Sequence, residues 1–249
     1  MFRLFTFLIC VFSSIMNVTS ANALAPVVQK ITFPAPDALL VTADLYFVND
    51  TLPYMILCHQ AGYSRGEYLE TAAKFCRLGY NCIAVDQRSG NEVNGVKNET
   101  AVLTTQKKKT TGYLDAEKDI LAAIDYAYTK SGKKVILVGS SYSASLALKI
   151  ATTNQKIQAV MAFSPGEYFG NDLKLKKAIA NLAVPVFVTS TKEEEAAVAA
   201  LISDVKSKIK KQYTPPASKG IHGSSCLWKT NQGYQDYWIE ILLFMKNAK

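Results

Sequence analysis

The strongest constraint on the fold is an alternation of short apolar segments with helical segments along most of the chain. The apolar segments lie at 54–58, 81–85, 134–138, 159–163 and 186–189, and the helical segments at 67–77, 114–129, 142–152, 196–209 and 234–247. Strands separated by helices pair in parallel, because each helix crosses over one face of the sheet. The alternation predicts an α/β fold, a mostly parallel twisted sheet with helices on both faces.

Segments outside this alternation complete the predicted fold. Residues 27–33 and 39–48 are β-branched and apolar runs around a proline-containing turn, which indicates an N-terminal β-hairpin. Only residues 164–183 separate two later strands, so we expect no large lid domain and an open site in a single domain over 24–249. The polar connection 86–112 is long, and we expect it to be a structureless loop near that site.

The N-terminus has the pattern of a secretory signal peptide. Residues 4–16 are apolar, follow the single cation Arg3 and precede small residues at 19–23. The run is shorter than the roughly 20 apolar residues of a membrane-spanning helix. We predict a signal peptide over 1–23 cleaved after Ala23, a secreted or periplasmic protein, and no stable membrane insertion.

The charge and the histidine content limit which partners and ligands we expect. The chain has 28 Lys and Arg against 20 Asp and Glu, a formal net charge of +8, but only four of the basic residues are arginines, the residues that read base edges best. We therefore expect no nucleic-acid partner. His59 and His222 are the only histidines and no Cys-x2-Cys pair occurs, so no metal and no cofactor is expected.

Four of the five cysteines, Cys58, Cys76, Cys82 and Cys226, follow the predicted signal peptide. Export to an oxidising compartment would allow three ways of forming two disulfides. Cys76 and Cys82 are closest in sequence, whereas four buried free thiols are the simpler alternative. The sequence leaves the pairing open, and the oligomeric state as well.

The segment 134–145 carries the clearest chemical signal. A buried strand runs directly into small residues and then a helix, and Gly139-x-Ser141-x-Ser143 fits the nucleophile elbow, a tight turn that presents a strained serine. Ser140 does not fit, because Val138 lies two residues before it. Ser141 is the predicted nucleophile.

A serine hydroxyl needs a neighbouring base, normally a histidine oriented by a carboxylate. His222 lies in a glycine turn beyond the last predicted strand, which matches the chain order Ser, acid, His of elbow enzymes. His59 is predicted to be structural, ordering its own loop. The acid should follow the strand at 186–189, where Glu194 is the first choice and Glu193 the second.

The negative charge that develops on a substrate carbonyl oxygen requires two hydrogen-bond donors already in place. The elbow supplies the backbone N–H of Tyr142. The loop after the strand at 54–58 should supply the other, from Ala61 or, as second choice, Gln60. Tyr63 and Gln60 of this loop are the expected substrate contacts.

Four segments together resemble a known family: Leu57 to Glu67, Asp86 to Gly90, Gly139 to Ser143 and Gly220 to Gly223. They look like an α/β-hydrolase of the small, lid-poor, dienelactone-hydrolase-like group, with a serine where dienelactone hydrolases have a cysteine. The resemblance implies an eight-stranded, mainly parallel sheet and a serine-type acyl hydrolase with a triad of Ser141, Glu194 and His222.

The resulting functional prediction is an exported serine hydrolase that cleaves carboxylic esters through an acyl-enzyme. The substrate would be a small-molecule or polymer-borne ester. The alternatives are a catalytically inactive binding protein with the same fold and an acyltransferase. Nothing in the sequence separates a transferase from a hydrolase.

Overall fold

The computed structural model describes residues 25–248, whose main feature is an eight-stranded sheet. Its strands in chain order are β1 (Val27–Pro34), β2 (Leu40–Phe47), β3 (Tyr54–Cys58), β4 (Asn81–Val85), β5 (Val135–Ser140), β6 (Ile157–Phe163), β7 (Val186–Thr189) and β8 (Lys210–Tyr213). In space the order is β1-β2-β4-β3-β5-β6-β7-β8. β2 is antiparallel to β1 and β4, and the other neighbours are parallel. This confirms the mostly parallel sheet and the N-terminal hairpin.

Helices cover both faces of the sheet, as predicted. They are α1 (Ala72–Arg77), α2 (Glu99–Gln106), α3 (Glu117–Ser131), α4 (Tyr142–Thr153), α5 (Leu175–Ala178), α6 (Glu195–Leu201) and α7 (Tyr234–Asn247).

The alternation of side chains along β3 shows how the two faces are filled. Ile56 and Cys58 join a core with α3, α4 and α6, whereas Met55 and Leu57 join a second core with α1 and α7. Every residue of β3 is buried. A strand covered on both faces therefore reads in the sequence as a continuous apolar run.

Two sequence predictions at the edges of the fold are wrong. The helix predicted over 196–209 ends at Leu201, and β8 follows it in parallel register with β7. β8 has the sequence Lys-Lys-Gln-Tyr and is exposed or half-buried, because an edge strand has one neighbour and needs no apolar run. The structureless loop at 86–112 instead contains a two-residue hairpin, Glu92–Val93 with Val96–Lys97, and α2.

The segment between β6 and β7 contains only the one-turn helix α5, so residues 25–248 include no lid domain. Cys58, Cys76, Cys82 and Cys226 are all free and buried, with 3.8 Å between the sulfurs of Cys76 and Cys82.

None of the helices in the described part of the chain is long and apolar enough to cross a membrane. The described residues also contain no group of three or more His, Cys, Asp or Glu side chains placed to hold a metal ion. The predicted signal peptide, 1–23, lies outside the described residues.

Candidate active site

Ser141 lies in a sharp turn between β5 and α4. Its backbone has φ 58° and ψ −123°, a conformation that non-glycine residues seldom adopt, and the residue is 7% exposed. A Cβ atom at Gly139 would lie 2.4 Å from the carbonyl oxygen of Ser143 and 2.6 Å from the Cα of Ala144. The close approach of strand to helix therefore requires glycine at 139, and the turn points the Ser141 hydroxyl out of the sheet.

The close approach at Gly139 predicts that a larger residue there destabilises the fold. Gly139→Ala forces the turn apart, because backbone atoms cannot move aside as a flexible side chain can, and we expect a loss of about 3 kcal/mol in the free energy of unfolding. Gly112→Ala is the matched control, since its Cβ would meet only a side-chain oxygen of Asp115, at 3.1 Å, and no backbone atom. Urea unfolding of the two variants checks the difference. Equal free energies for both would contradict the strand-to-helix contact.

Three side chains predicted to work together are brought into contact. The Nε2 atom of His222 lies 2.9 Å from the Oγ atom of Ser141, and its Nδ1 atom lies 2.5 Å from Oε1 of Glu194. The imidazole side chain is 38% exposed, so the contact between serine and histidine opens to solvent. The arrangement can move a proton from the hydroxyl to the ring while the carboxylate fixes the ring orientation.

The Glu194 carboxylate is held by more than the histidine. Its Oε2 atom accepts hydrogen bonds from the Ser164 hydroxyl at 2.8 Å and from the backbone N–H of Thr191 at 3.1 Å. Burial by itself would raise the pKa of Glu194, but these bonds and the one to His222 outweigh it and hold the pKa below its usual value. Glu194 is therefore ionised near neutral pH. Glu193, the second choice, is exposed at the surface.

The backbone amides of the loop after β3 differ in whether they already have an acceptor. The N–H of Gln60 donates to Oε2 of Glu67 at 2.8 Å, so it is already occupied. Within residues 25–248, the N–H groups of Ala61 and Tyr142 have no protein acceptor. β3 and β5 are adjacent and parallel, which places both amides at the same edge of the sheet.

Ser143 and Gln87 tie this loop to the elbow. The Ser143 hydroxyl donates to the carbonyl of His59 at 2.6 Å, and the Gln87 side chain accepts from the N–H of His59 at 3.1 Å while donating to Ser143. The Ser143 side chain thus links helix α4 directly to the loop after β3. A glycine at position 143 has no hydroxyl and could not form this hydrogen bond.

His59 is fully buried and serves the same loop. Its Nε2 accepts the backbone N–H of Gln87 at 3.0 Å, so the proton resides on Nδ1, which donates to the carbonyl of Gln60 at 2.8 Å. Burial lowers the pKa of His59 to about 4. It forms no hydrogen bond with Ser141. Its hydrogen bonds to Gln60 and Gln87 order the loop after β3, as the sequence predicted.

This buried histidine predicts a loss of stability in acid. The unfolded imidazole binds a proton near pH 6.5, whereas the folded one stays neutral down to about pH 4. The neutral ring makes its full contribution to the free energy of unfolding above pH 6.5. As the pH falls from 6.5 toward 4, the free energy of unfolding decreases by up to about 3 kcal/mol. Urea unfolding across this range should show a steeper pH dependence for wild type than for His59→Gln. Identical slopes would contradict the neutral, buried assignment.

Tyr63 and Gln60, the predicted substrate contacts, are half-buried in the loop after β3. The ring of Tyr63 stacks on that of Trp228 with centroids 6.4 Å apart. The side-chain oxygen of Gln60 faces Gly223, where an added Cβ would lie 3.2 Å away. The ring of Tyr142 is buried and stacks on that of Tyr113 with centroids 4.5 Å apart.

The sequence predictions missed several side chains that support this site: Glu67, Ser140, Ser143 as a hydrogen-bond donor, and Ser164. Ser164 has φ 54° and follows β6, so a small polar residue directly after a strand end was the available signal. For Glu67 no local signal exists, because it looks like Glu70, an ordinary acidic residue in the first turn of the predicted helix 67–77.

Comparison with known proteins agrees with this architecture. The model of the dienelactone hydrolase family matches residues 47–217. No curated protein sequence gives a significant match.

Three solved structures show the same fold. The esterase Pf2001 of Pyrococcus furiosus has a TM-score of 0.67 and 14% identity, covering 89% of this chain and 93% of that one. Dienelactone hydrolase from Anabaena variabilis has a TM-score of 0.63 and 13% identity over 88% and 95%. An acylaminoacyl peptidase of Pyrococcus horikoshii has a TM-score of 0.65 and 14% identity, over 90% of this chain and 42% of that one. With the family match spanning most of the described residues, this chain belongs to the dienelactone hydrolase family of α/β-hydrolases.

Proposed function

We propose that the chain is a serine hydrolase that cleaves carboxylic esters through an acyl-enzyme intermediate. The observation that carries the proposal is the continuous contact from Ser141 to His222 to Glu194, at 2.9 Å and 2.5 Å. A serine hydroxyl hydrogen-bonded to an imidazole that is itself held by an ionised carboxylate is the arrangement that activates a hydroxyl for attack.

The steps follow from this geometry. The Ser141 oxygen attacks the acyl carbon while Nε2 of His222 takes the hydroxyl proton, and Glu194 stabilises the imidazolium. The ester C–O bond then breaks, and the imidazolium gives the proton to the departing alkoxide. Water attacks the acyl-enzyme with His222 again as base, and the proton returns to Ser141 as the acid leaves.

The N–H groups of Ala61 and Tyr142 are the proposed donors to the oxyanion. Their free state and their position at one edge of the sheet support this role. Gln60, the second choice, is not proposed as the donor, because its N–H is bound to Glu67. Donors fixed before the reaction stabilise the developing charge without reorganisation.

The open surroundings favour small acyl groups, or esters carried on a larger molecule. The exposed His222 ring and the short segment between β6 and β7 leave the site without a cover in the described part of the chain. Tyr63 and Gln60, in the loop after β3, are the proposed substrate contacts. We also propose export directed by residues 1–23, for which the N-terminus of the secreted protein should begin at Leu24.

Ester turnover tests the proposal. Purified protein is assayed with the acetyl, butyryl and octanoyl esters of nitrophenol, and the products are analysed by mass spectrometry with and without methanol. We expect the free acid as main product and the highest kcat/KM for the short acyl groups. Methyl ester as the main product in dilute methanol would indicate an acyltransferase, and no turnover above buffer would indicate an inactive binding protein.

A further inference from the structure

Glu67 is a buried carboxylate that the mechanism above does not use. The residue is fully buried in the 3-10 turn Arg65–Tyr68, which follows the loop after β3. In residues 25–248 it forms no salt bridge with a lysine, arginine or histidine. A carboxylate in such a position is costly unless hydrogen bonds replace its lost hydration.

Those hydrogen bonds come from three chain segments: the loop after β3, the end of β5 and the turn that follows His222. Oε2 accepts the N–H of Gln60 at 2.8 Å, and Oε1 accepts the hydroxyls of Ser140 at 2.8 Å and Ser224 at 2.6 Å. Ser140 also accepts the backbone N–H of Ser224 at 2.8 Å. The indole of Trp228 donates to the Glu67 carbonyl at 2.9 Å, which fixes the turn itself.

Each bonded group is a near neighbour of a functional group. Gln60 precedes Ala61, Ser140 precedes Ser141, and Ser224 lies two residues after His222. One carboxylate thereby connects the three chain segments that must meet for the reaction. These segments are remote in sequence, and within residues 25–248 no other side chain forms hydrogen bonds to all three.

We propose that Glu67 is a positioning residue: by bonding Gln60, Ser140 and Ser224 it sets the relative positions of the oxyanion donor, the nucleophile and the base. The inference rests on the proposed function. Glu67 does not contact substrate. It acts by holding the Ala61 amide toward the site and by fixing the distance between the elbow and the histidine loop. A displacement of about 1 Å in such a constellation costs about 100-fold in rate.

The test compares three variants by steady-state ester hydrolysis. Glu67→Leu removes both carboxylate oxygens and leaves an apolar side chain, and we expect kcat to fall about 100-fold with KM within about 3-fold of wild type. Glu67→Gln keeps an acceptor for Gln60 and a polar partner for the serines, and should restore kcat to within about 10-fold of wild type. Ile124→Ala, a buried change in α3 outside these three segments, should lower stability and leave kcat unchanged.

A second set of variants tests the inference if Glu67→Leu does not fold. Ser140→Ala and Ser224→Ala each remove one donor, and each should lower kcat about 10-fold, while the double variant loses less than the product of the two. A kcat unchanged in Glu67→Leu, or in the folded serine variants, overturns the inference and leaves the proposed function intact. A wild type that neither hydrolyses esters nor reacts with a fluorophosphonate overturns both.

Discussion

Ser141→Ala should lower kcat for nitrophenyl acetate by about 10⁵-fold while the protein stays folded. The alanine keeps the Cβ atom and the strained backbone of the elbow, so only the attacking oxygen is lost. The Ser141 side chain makes one hydrogen bond to another described side chain, with His222.

Steady-state kinetics and thermal unfolding check this prediction together. The melting temperature should lie within about 3 °C of wild type, since few contacts are lost. Residual activity above one tenth of wild type in a folded variant would show that another group attacks the ester.

The second large effect concerns Glu194, the carboxylate that orients His222. Glu194→Gln should lower kcat by about 10⁴-fold. The amide group can donate to Nδ1 of His222, which favours the ring tautomer with its proton on Nε2. That proton then points at Ser141, and the ring cannot accept the hydroxyl proton.

Glu193→Gln is the matched control for this change. The two residues are adjacent, carry the same charge and differ in contact: Glu194 lies 2.5 Å from His222, whereas Glu193 is exposed. We expect Glu193→Gln to keep kcat within about 2-fold of wild type. The opposite pattern, a large loss at 193 and none at 194, would assign the acid to the second choice.

The centre of the fold was predictable because burial on both faces leaves a direct record in the sequence. β3 to β7 are short apolar runs, and the elbow at Gly139 and Ser141 is marked by small residues where a strand meets a helix. The edges were not predictable in the same way. β8 pairs only with β7, and its lysines are equally compatible with the end of a helix.

The candidate site shows the same division. Ser141, His222 and Glu194 follow from residue type, chain order and position after strands. Glu67 and Ser164 do not, because their roles depend on which loops meet in space. Hydrogen bonds between residues far apart in the chain leave no periodic pattern to read.

The central claim is that His222 activates the Ser141 hydroxyl, and a fluorophosphonate tests it most directly. Intact-mass analysis should show one adduct per chain, peptide mapping should place it on Ser141, and Ser141→Ala should remain unlabelled. His222→Ala should label at least about 100-fold more slowly, since the hydroxyl has then lost its base. An adduct on another residue, or equal labelling rates with and without the imidazole, would contradict the account.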